Sequence, residues 1–230
     1  MLTDDRYSRT VKLIGEDGLG RIRRSQVLIV GVGGVGSYAA EAIARAGFRH
    51  ITLMDGDVVQ ESNLNRQLVA LSSTVGKNKA EVMAERIRDI DPDAEVTALA
   101  RFYRPDDELD LRAYDWIVDA IDDVDAKTAL IEKAVNEGVN IISSMGAAGK
   151  FGTDFKVADL SDTQVCPLAK VMRKRLRERG IEHIPVVYSE EKPVPRDGVL
   201  GTLSYVPGSA GLTLAGYVIR SVYKENKEIT

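Results

Sequence analysis

The chain has 230 residues, 35 acidic against 31 basic side chains, a formal charge of -4 and a single cysteine. An apolar share of 44% with 29% charged residues supports a sizeable core and excludes a collagenous, disordered or disulfide-stapled chain. One thiol excludes an internal disulfide and a four-thiolate zinc site, and the acidic balance argues against capture of nucleic acid by the field of the whole protein. Asp4, Asp5 and Arg6 stand where a secretory signal would carry its apolar segment, so a cytoplasmic location is expected. No membrane span is expected either, because the longest apolar stretch, residues 208–219, falls short of the ~20 residues a bilayer requires.

Strand-length apolar runs alternate with longer segments of helical period, the pattern of βαβ units around a mostly parallel sheet. Residues Gln26–Val30 (QVLIV) predict a strand followed at once by Gly31, and residues 38–46 (YAAEAIARA) predict an alanine-rich helix packed closely on it. Residues 51–54 predict a second strand ending at Asp55. Lys79–Ile90 sets Ala80, Met83, Ile87 and Ile90 on one helical face, and Asp91-Pro92 stops that helix. Further strands are predicted at Glu95–Leu99, 116–120 and 140–143, with a helix over 126–137 ended by Gly138. Residues 155–160 and 184–189 are candidates for later, antiparallel strands flanking a basic helix over 168–179. Two prolines and two glycines in residues 190–201 (EEKPVPRDGVLG) predict a mobile loop, and residues 208–219 predict a buried helix. The expectation is a single α/β domain over 1–230, Rossmann-like and doubly wound, with a nucleotide-binding core at about 20–150 and a substrate-side elaboration over 151–230.

The chemistry concentrates at the strand ends. Gly31, Gly33, Gly34 and Gly36 (GVGGVG) form a glycine turn that brings backbone amides close to phosphate at a helix N-terminus. Nineteen residues beyond Gly36, Asp55 is placed to accept hydrogen bonds from ribose hydroxyls. These features favour an adenosine ligand and leave open whether it is a dinucleotide or ATP. Arg66 and Lys79 add two cations beside the phosphate site, as nucleotidyl transfer requires, although an arginine and a lysine taken alone in a loop are more often solvated surface residues. Asp122, just past the strand WIVDA, lies at the carboxyl edge of the sheet, where it is placed to hold magnesium. Asp119, Asp123 and Asp125 crowd the same turn, and helix capping is the alternative reading of Asp123 and Asp125. His50 and His183 read as structural.

Taken in order, RYSR (residues 6–9), GVGGVGS, LMDGD, SNLNRQ, TVGKNK and DAIDD closely resemble the ThiF/MoeB family of adenylyltransferases, whose fold is shared with ubiquitin-activating enzymes. The match covers residues 6 to about 150. It implies that Asp55 binds ribose, that Asn63, Arg66, Gln67 and Lys79 contact the triphosphate of ATP, and that Asp122 binds Mg2+. It also implies that Arg9 reaches across a homodimer into the partner's nucleotide site. The two CxxC pairs of zinc-bearing members are missing, so no zinc is expected.

SSMGAAGK (143–150), residues 163–167, VVYSEE (186–191) and VPGSAG (206–211) resemble the subfamily of tRNA threonylcarbamoyladenosine dehydratases, although Cys166 stands where some members carry an aspartate. The resemblance implies an enzyme that adenylylates a carboxylate on N6-threonylcarbamoyladenosine in tRNA and closes a ring as AMP departs. Six cations fall within residues 170–179 against one acid, and Lys170, Arg173, Lys174 and Arg177 are candidate tRNA contacts, with a solvated helix face as the alternative. Activation of a ubiquitin-like sulfur-carrier protein, or a non-catalytic role as a nucleotide-binding sulfur-relay partner, are the competing readings. A monovalent cation near residues 143–149 and docking by a cysteine desulfurase or sulfur acceptor are left open.

Overall fold

The computed structural model describes residues 5–224. Its elements in chain order are α1 (Ser8–Arg24), β1 (Gln26–Val30), α2 (Gly36–Ala46), β2 (His50–Met54), α3 (Lys79–Ile90), β3 (Glu95–Leu99), β4 (Trp116–Asp119), α4 (Val124–Asn136), β5 (Asn140–Ser144), β6 (Lys156–Asp159), α5 (Pro167–Arg177), β7 (Pro185–Tyr188) and α6 (Tyr205–Lys224). The strands form one seven-stranded sheet in the order β3-β2-β1-β4-β5-β7-β6. All neighbours run parallel except β6 and β7. The chain therefore reverses its direction of travel across the sheet between β1 and β4, the switch point where open α/β sheets bind ligands.

The central strands carry unbroken apolar runs because both of their faces are covered. One face packs against α2, α3 and α6 through residues such as Ala39, Ile43, Met83, Leu214 and Val218. The opposite face packs against α4 and α5 through Leu130, Ile131, Met172 and Leu176. The helix expected over 208–219 extends in both directions as α6, and it lies so close to α2 that a Cβ on Gly211 would sit 2.3 Å from the Val35 carbonyl oxygen. The two late strands pair antiparallel with each other, as expected, but β7 runs parallel to β5, pairing Ser143 with Val186 and Ser144 with Val187. Residues 190–201, expected to be mobile, are tied to the turn after β5 by backbone hydrogen bonds from Val194 to Gly149 and from Gly149 to Gly201, each 2.7 Å. Among the described residues no helix is long and apolar enough to cross a membrane.

Helix α1 has no counterpart in the pattern reading. Gly15, at φ +75°, breaks the segment into two helical pieces, and only Gly18, Leu19 and Ile22 along it are buried. What holds this end is a long-range polar contact. The buried carboxylate of Asp91, just past α3, accepts the Tyr7 hydroxyl at 2.9 Å, Arg6 at 2.6 Å and Arg49 at 3.1 Å. Burial pushes the Asp91 carboxyl up, but the Tyr7 hydroxyl, the Asp93 amide and Arg49 outweigh it and hold the group below the usual carboxylate range.

Replacing Asp91 by Asn should therefore cost on the order of 2 kcal/mol at neutral pH, as lost hydrogen bonds to a charged group do. Because the folded carboxyl titrates below its unfolded value of about 3.9, this stabilisation is complete above that value and disappears as pH falls through the folded one. Calorimetric Tm differences between the parent and Asp91→Asn should stay constant from neutral pH to about 5 and close on further acidification.

Candidate active site

Glycine-rich backbone, carboxylates and cations meet at the carboxyl ends of β1, β2 and β4. Gly31 leaves β1 at φ +87°, and a Cβ there would lie 2.6 Å from the Ala120 carbonyl oxygen. A Cβ on Gly36 would lie 1.8 Å from the Gly31 carbonyl oxygen, so this glycine closes the turn and does not line the cavity above it. Gly33 and Gly34 do line it, ahead of the N-terminus of α2, where unpaired helix amides favour anions.

Asp55 follows β2 and is 7% exposed. Its carboxylate accepts the amides of Val32 at 2.7 Å and Asp57 at 2.8 Å, while burial, the largest influence, raises its pKa. Asn78 locks the same loop to α3. Its side-chain oxygen caps the helix at Ala80 and Glu81, and its amide donates to the carbonyls of Asp55 and Asp57. Lys79, the first residue of α3, is buried at the cavity wall with its Nζ 2.8 Å from an Asp57 carboxylate oxygen. Arg66 is half-buried and lines the cavity, donating to the Ser62 carbonyl at 2.8 Å and to Asn65 Oδ1 at 2.9 Å. Gln67 is buried beside it with Oε1 lacking a partner. Asn63 is buried at the start of the same loop. Its Oδ1 accepts the Gln60 amide at 3.1 Å to close a short turn, and Ser62 and Asn65 line the cavity.

At the end of β4 four aspartates take four different positions. Asp119 is fully buried, bonded to Lys127 Nζ at 2.7 Å and Ser143 Oγ at 2.6 Å. Asp123 caps α4 through Ala126, and Asp125 pairs with Arg175. Asp122 and Asp123 both line the cavity, but only Asp122 is exposed there without a side-chain hydrogen bond or ion pair to any described residue. A single open carboxylate suits Mg2+, which is commonly held by one or two carboxylates together with phosphate oxygens. Among the described residues no three His, Cys, Asp or Glu side chains gather to hold a metal by themselves.

These groups share one cavity of about 1140 Å³, which continues past β5 to Met145, Lys150, Cys166 and Leu200. Lys127, Asn78, Ser62, Asn65 and Lys150 were not singled out as site residues from the sequence. Asn78 carried a signal, being a capping residue type directly ahead of a helical face. Arg9 lies on α1, exposed, outside this cavity and unbonded to any described residue. His50 and His183 pair with Glu95 and Asp159 and do not line the cavity.

The basic helix carries less open charge than its composition implies. Arg173 turns inward to the Thr163 carbonyl at 2.7 Å, Arg179 meets Glu132 at 3.0 Å, Arg177 approaches Glu182 at 3.9 Å, and Arg175 is the partner of Asp125. Lys170 and Lys174 are exposed and meet no acid among the described residues.

The sheet order, glycine turn and cavity at the switch point define a nucleotide-binding α/β protein of the Rossmann kind. More narrowly, the chain belongs to the ThiF family, whose profile matches residues 7–230. It is 39% identical over 241 residues to the tRNA threonylcarbamoyladenosine dehydratase of Bacillus subtilis, covering 95% of each chain. It is 43% identical over 175 residues to that of Escherichia coli, covering 75% of this chain and 65% of that one. The structure of the Escherichia coli enzyme in complex with AMP superposes with a TM-score of 0.90 at 35% identity, covering 98% of both chains, and the complex with ATP gives 0.89.

The buried ion pair under the cavity yields a stability prediction. Lys127→Met alone should destabilise the protein by about 3–5 kcal/mol, because it leaves the Asp119 charge buried and uncompensated. The double variant Asp119→Leu, Lys127→Met should recover most of that loss in denaturant titrations, since well-packed apolar replacements of a buried pair are often near neutral.

Proposed function

We propose that this chain is an ATP-dependent tRNA threonylcarbamoyladenosine dehydratase working through an acyl adenylate. The full-length similarity to dehydratases, one of them solved with AMP and with ATP, carries the reading. The cavity adds the chemistry, since Arg66 and Lys79 supply positive charge where a triphosphate would lie and Asp122 is left unbonded among the described residues. Gly33 and Gly34 offer backbone to the phosphates, and Asp55, braced by two amides, faces the ribose. Gln67, whose Oε1 has no partner, lies beside the phosphates. Mg2+ held by Asp122 and phosphate oxygens would neutralise charge on the polyphosphate.

A carboxylate oxygen of the threonyl group attacks the α-phosphorus, and the bond to pyrophosphate breaks. A ureido atom then attacks the activated acyl carbon and loses its proton, and AMP leaves with the former carboxylate oxygen. The modified base has lost the elements of water, and ATP has become AMP and pyrophosphate. No protein nucleophile takes part. The residues act by holding reactants in line and by offsetting charge that builds at phosphorus.

Arg9 completes the site of a second copy in a homodimer, consistent with its exposure and its absence from its own chain's cavity. The tRNA lies against the exposed cations Lys170, Lys174 and Arg177, Arg173 being turned inward, and the reaction takes place in the cytoplasm. Converting those three to glutamate should weaken tRNA binding and flatten its salt dependence, each phosphate contact contributing roughly 0.7–0.9 to the slope.

Incubation with ATP and tRNA carrying the threonylcarbamoyl group, followed by mass spectrometry of the nucleosides, should show loss of one water per modified base. Arg66→Ala and Lys79→Ala should each slow it by about 10²–10³; near-normal turnover would remove that residue from the site. Mixing inactive Arg9→Ala with inactive Asp122→Asn chains should restore part of the activity when subunits exchange, because one composite site then carries both lesions and the other neither. Failure of exchanging chains to complement would place Arg9 outside the partner's site.

A further inference from the structure

Three lysines are buried among the described residues, and two of them have a carboxylate partner. Lys79 meets Asp57 at 2.8 Å and Lys127 meets Asp119 at 2.7 Å. Lys150, 4% exposed at the cavity wall, has no carboxylate within 4.0 Å among the described residues. Its Nζ donates to the Ser189 carbonyl at 3.1 Å and lies 5.5 Å from the centre of the Phe155 ring, two contacts that favour the charged form. The nearby acid Glu191 is committed elsewhere, its carboxylate accepting the amides of Phe151 at 2.8 Å and Gly152 at 2.7 Å. An ammonium has three N–H donors, and one is used here. Burial pushes the Lys150 amine below the usual lysine range, against the pull of Cys166 and Glu191. A buried cation without a counter-ion is costly to keep, and here it faces a cavity.

We propose that Lys150 anchors the carboxylate of the substrate at the end of the cavity away from the glycine turn, holding it in line with the α-phosphorus. The assignment rests on the dehydratase reading and supplies a substrate-side cation that reading lacks. Lys150 follows β5, which lies two strands from β1, roughly 10 Å across the sheet, so it stands beyond the phosphates, which have Arg66 and Lys79. The wall on this side holds Met145, Ala148, Leu168, Pro193 and Leu200 with Ser144, Cys166 and Thr202 as its polar members and no second cation, which suits one singly charged carboxylate and not a phosphate needing several donors.

The test compares the parent with Lys150→Met and Lys150→Arg, using full-length protein, ATP, and one tRNA in its threonylcarbamoylated and unmodified forms. Lys150→Met should lower kcat/KM for the modified tRNA by about 10- to 100-fold, the worth of a hydrogen bond to a charged group, with Lys150→Arg recovering part of it. Calorimetric ATP affinity and binding of unmodified tRNA should not change. Tm of Lys150→Met should hold or rise, because an uncompensated buried charge has been removed. Unchanged kcat/KM in a working parent overturns the proposal alone. So does a matching fall in ATP affinity, which would place Lys150 on the nucleotide, or in unmodified tRNA binding, which would place it on the RNA backbone. A drop in Tm would make it a brace for the Ser189 carbonyl. A parent that converts no modified tRNA overturns the dehydratase reading, and this proposal with it.

Discussion

Asp119 and Lys127 face each other 2.7 Å apart with neither side chain exposed to solvent, at the point where β4 ends and the chain turns into α4. Two charges taken out of water are tolerated only when their remaining hydrogen-bonding capacity is met, and here it is. Lys127 also donates to Ser143 Oγ at 3.1 Å and the Ser144 carbonyl at 3.0 Å, while Asp119 accepts the Ser143 hydroxyl and the Ile121 amide. The cluster joins β4, β5 and α4 beneath the cavity floor. It fixes the path of residues 120–123, so that Asp123 caps the helix and Asp122 is left to face the cavity.

Around that floor the cavity has two unlike ends. The β1–β2 end is built from backbone and paired charges, with Gly33 and Gly34 bare, Asp55 held by two amides and Lys79 held by Asp57. The β5 end is mostly apolar, and the Lys150 ammonium stands in it. Such an arrangement separates the recognition of a highly charged nucleotide from that of a singly charged group, and places the reacting atoms between them. The segment over 193–202 closes the second end through backbone bonds to Gly149.

Charge in this protein is decided by local pairing and not by totals. The acidic sum of -4 coexists with four cations along the cavity, Arg66, Lys79, Arg104 and Lys150. Conversely, the densest basic segment has three of its four arginines engaged by Asp125, Glu132 and Thr163, and Arg177 stays exposed 3.9 Å from Glu182. Those acids lie far from α5 in sequence, or beyond its end, so composition overstated the open positive surface there.

The sequence by itself determined the elements from β1 onward and the order in which they appear, while α1 went unread. Strands buried on both faces must be continuous apolar runs, and QVLIV, WIVD and the others are read at once. The glycine turn and the Asn78 cap are equally legible, because both solve a backbone problem within a few residues. Family motifs pointed to Arg66, Lys79, Asp55 and Asp122, and all four line the cavity. Tertiary structure alone decided the rest. That Lys127 is buried while Lys170 is exposed, that Asn63 serves a turn while Ser62 and Asn65 face the cavity, and that α1 is pinned by Asp91 across more than 80 positions of sequence all depend on which distant group stands within a few ångströms. Lys150 is the sharpest case. As a residue type it reads as an ordinary solvated surface charge, and only the packing of β7, Phe155 and the 193–202 segment around it shows a cation buried without its anion.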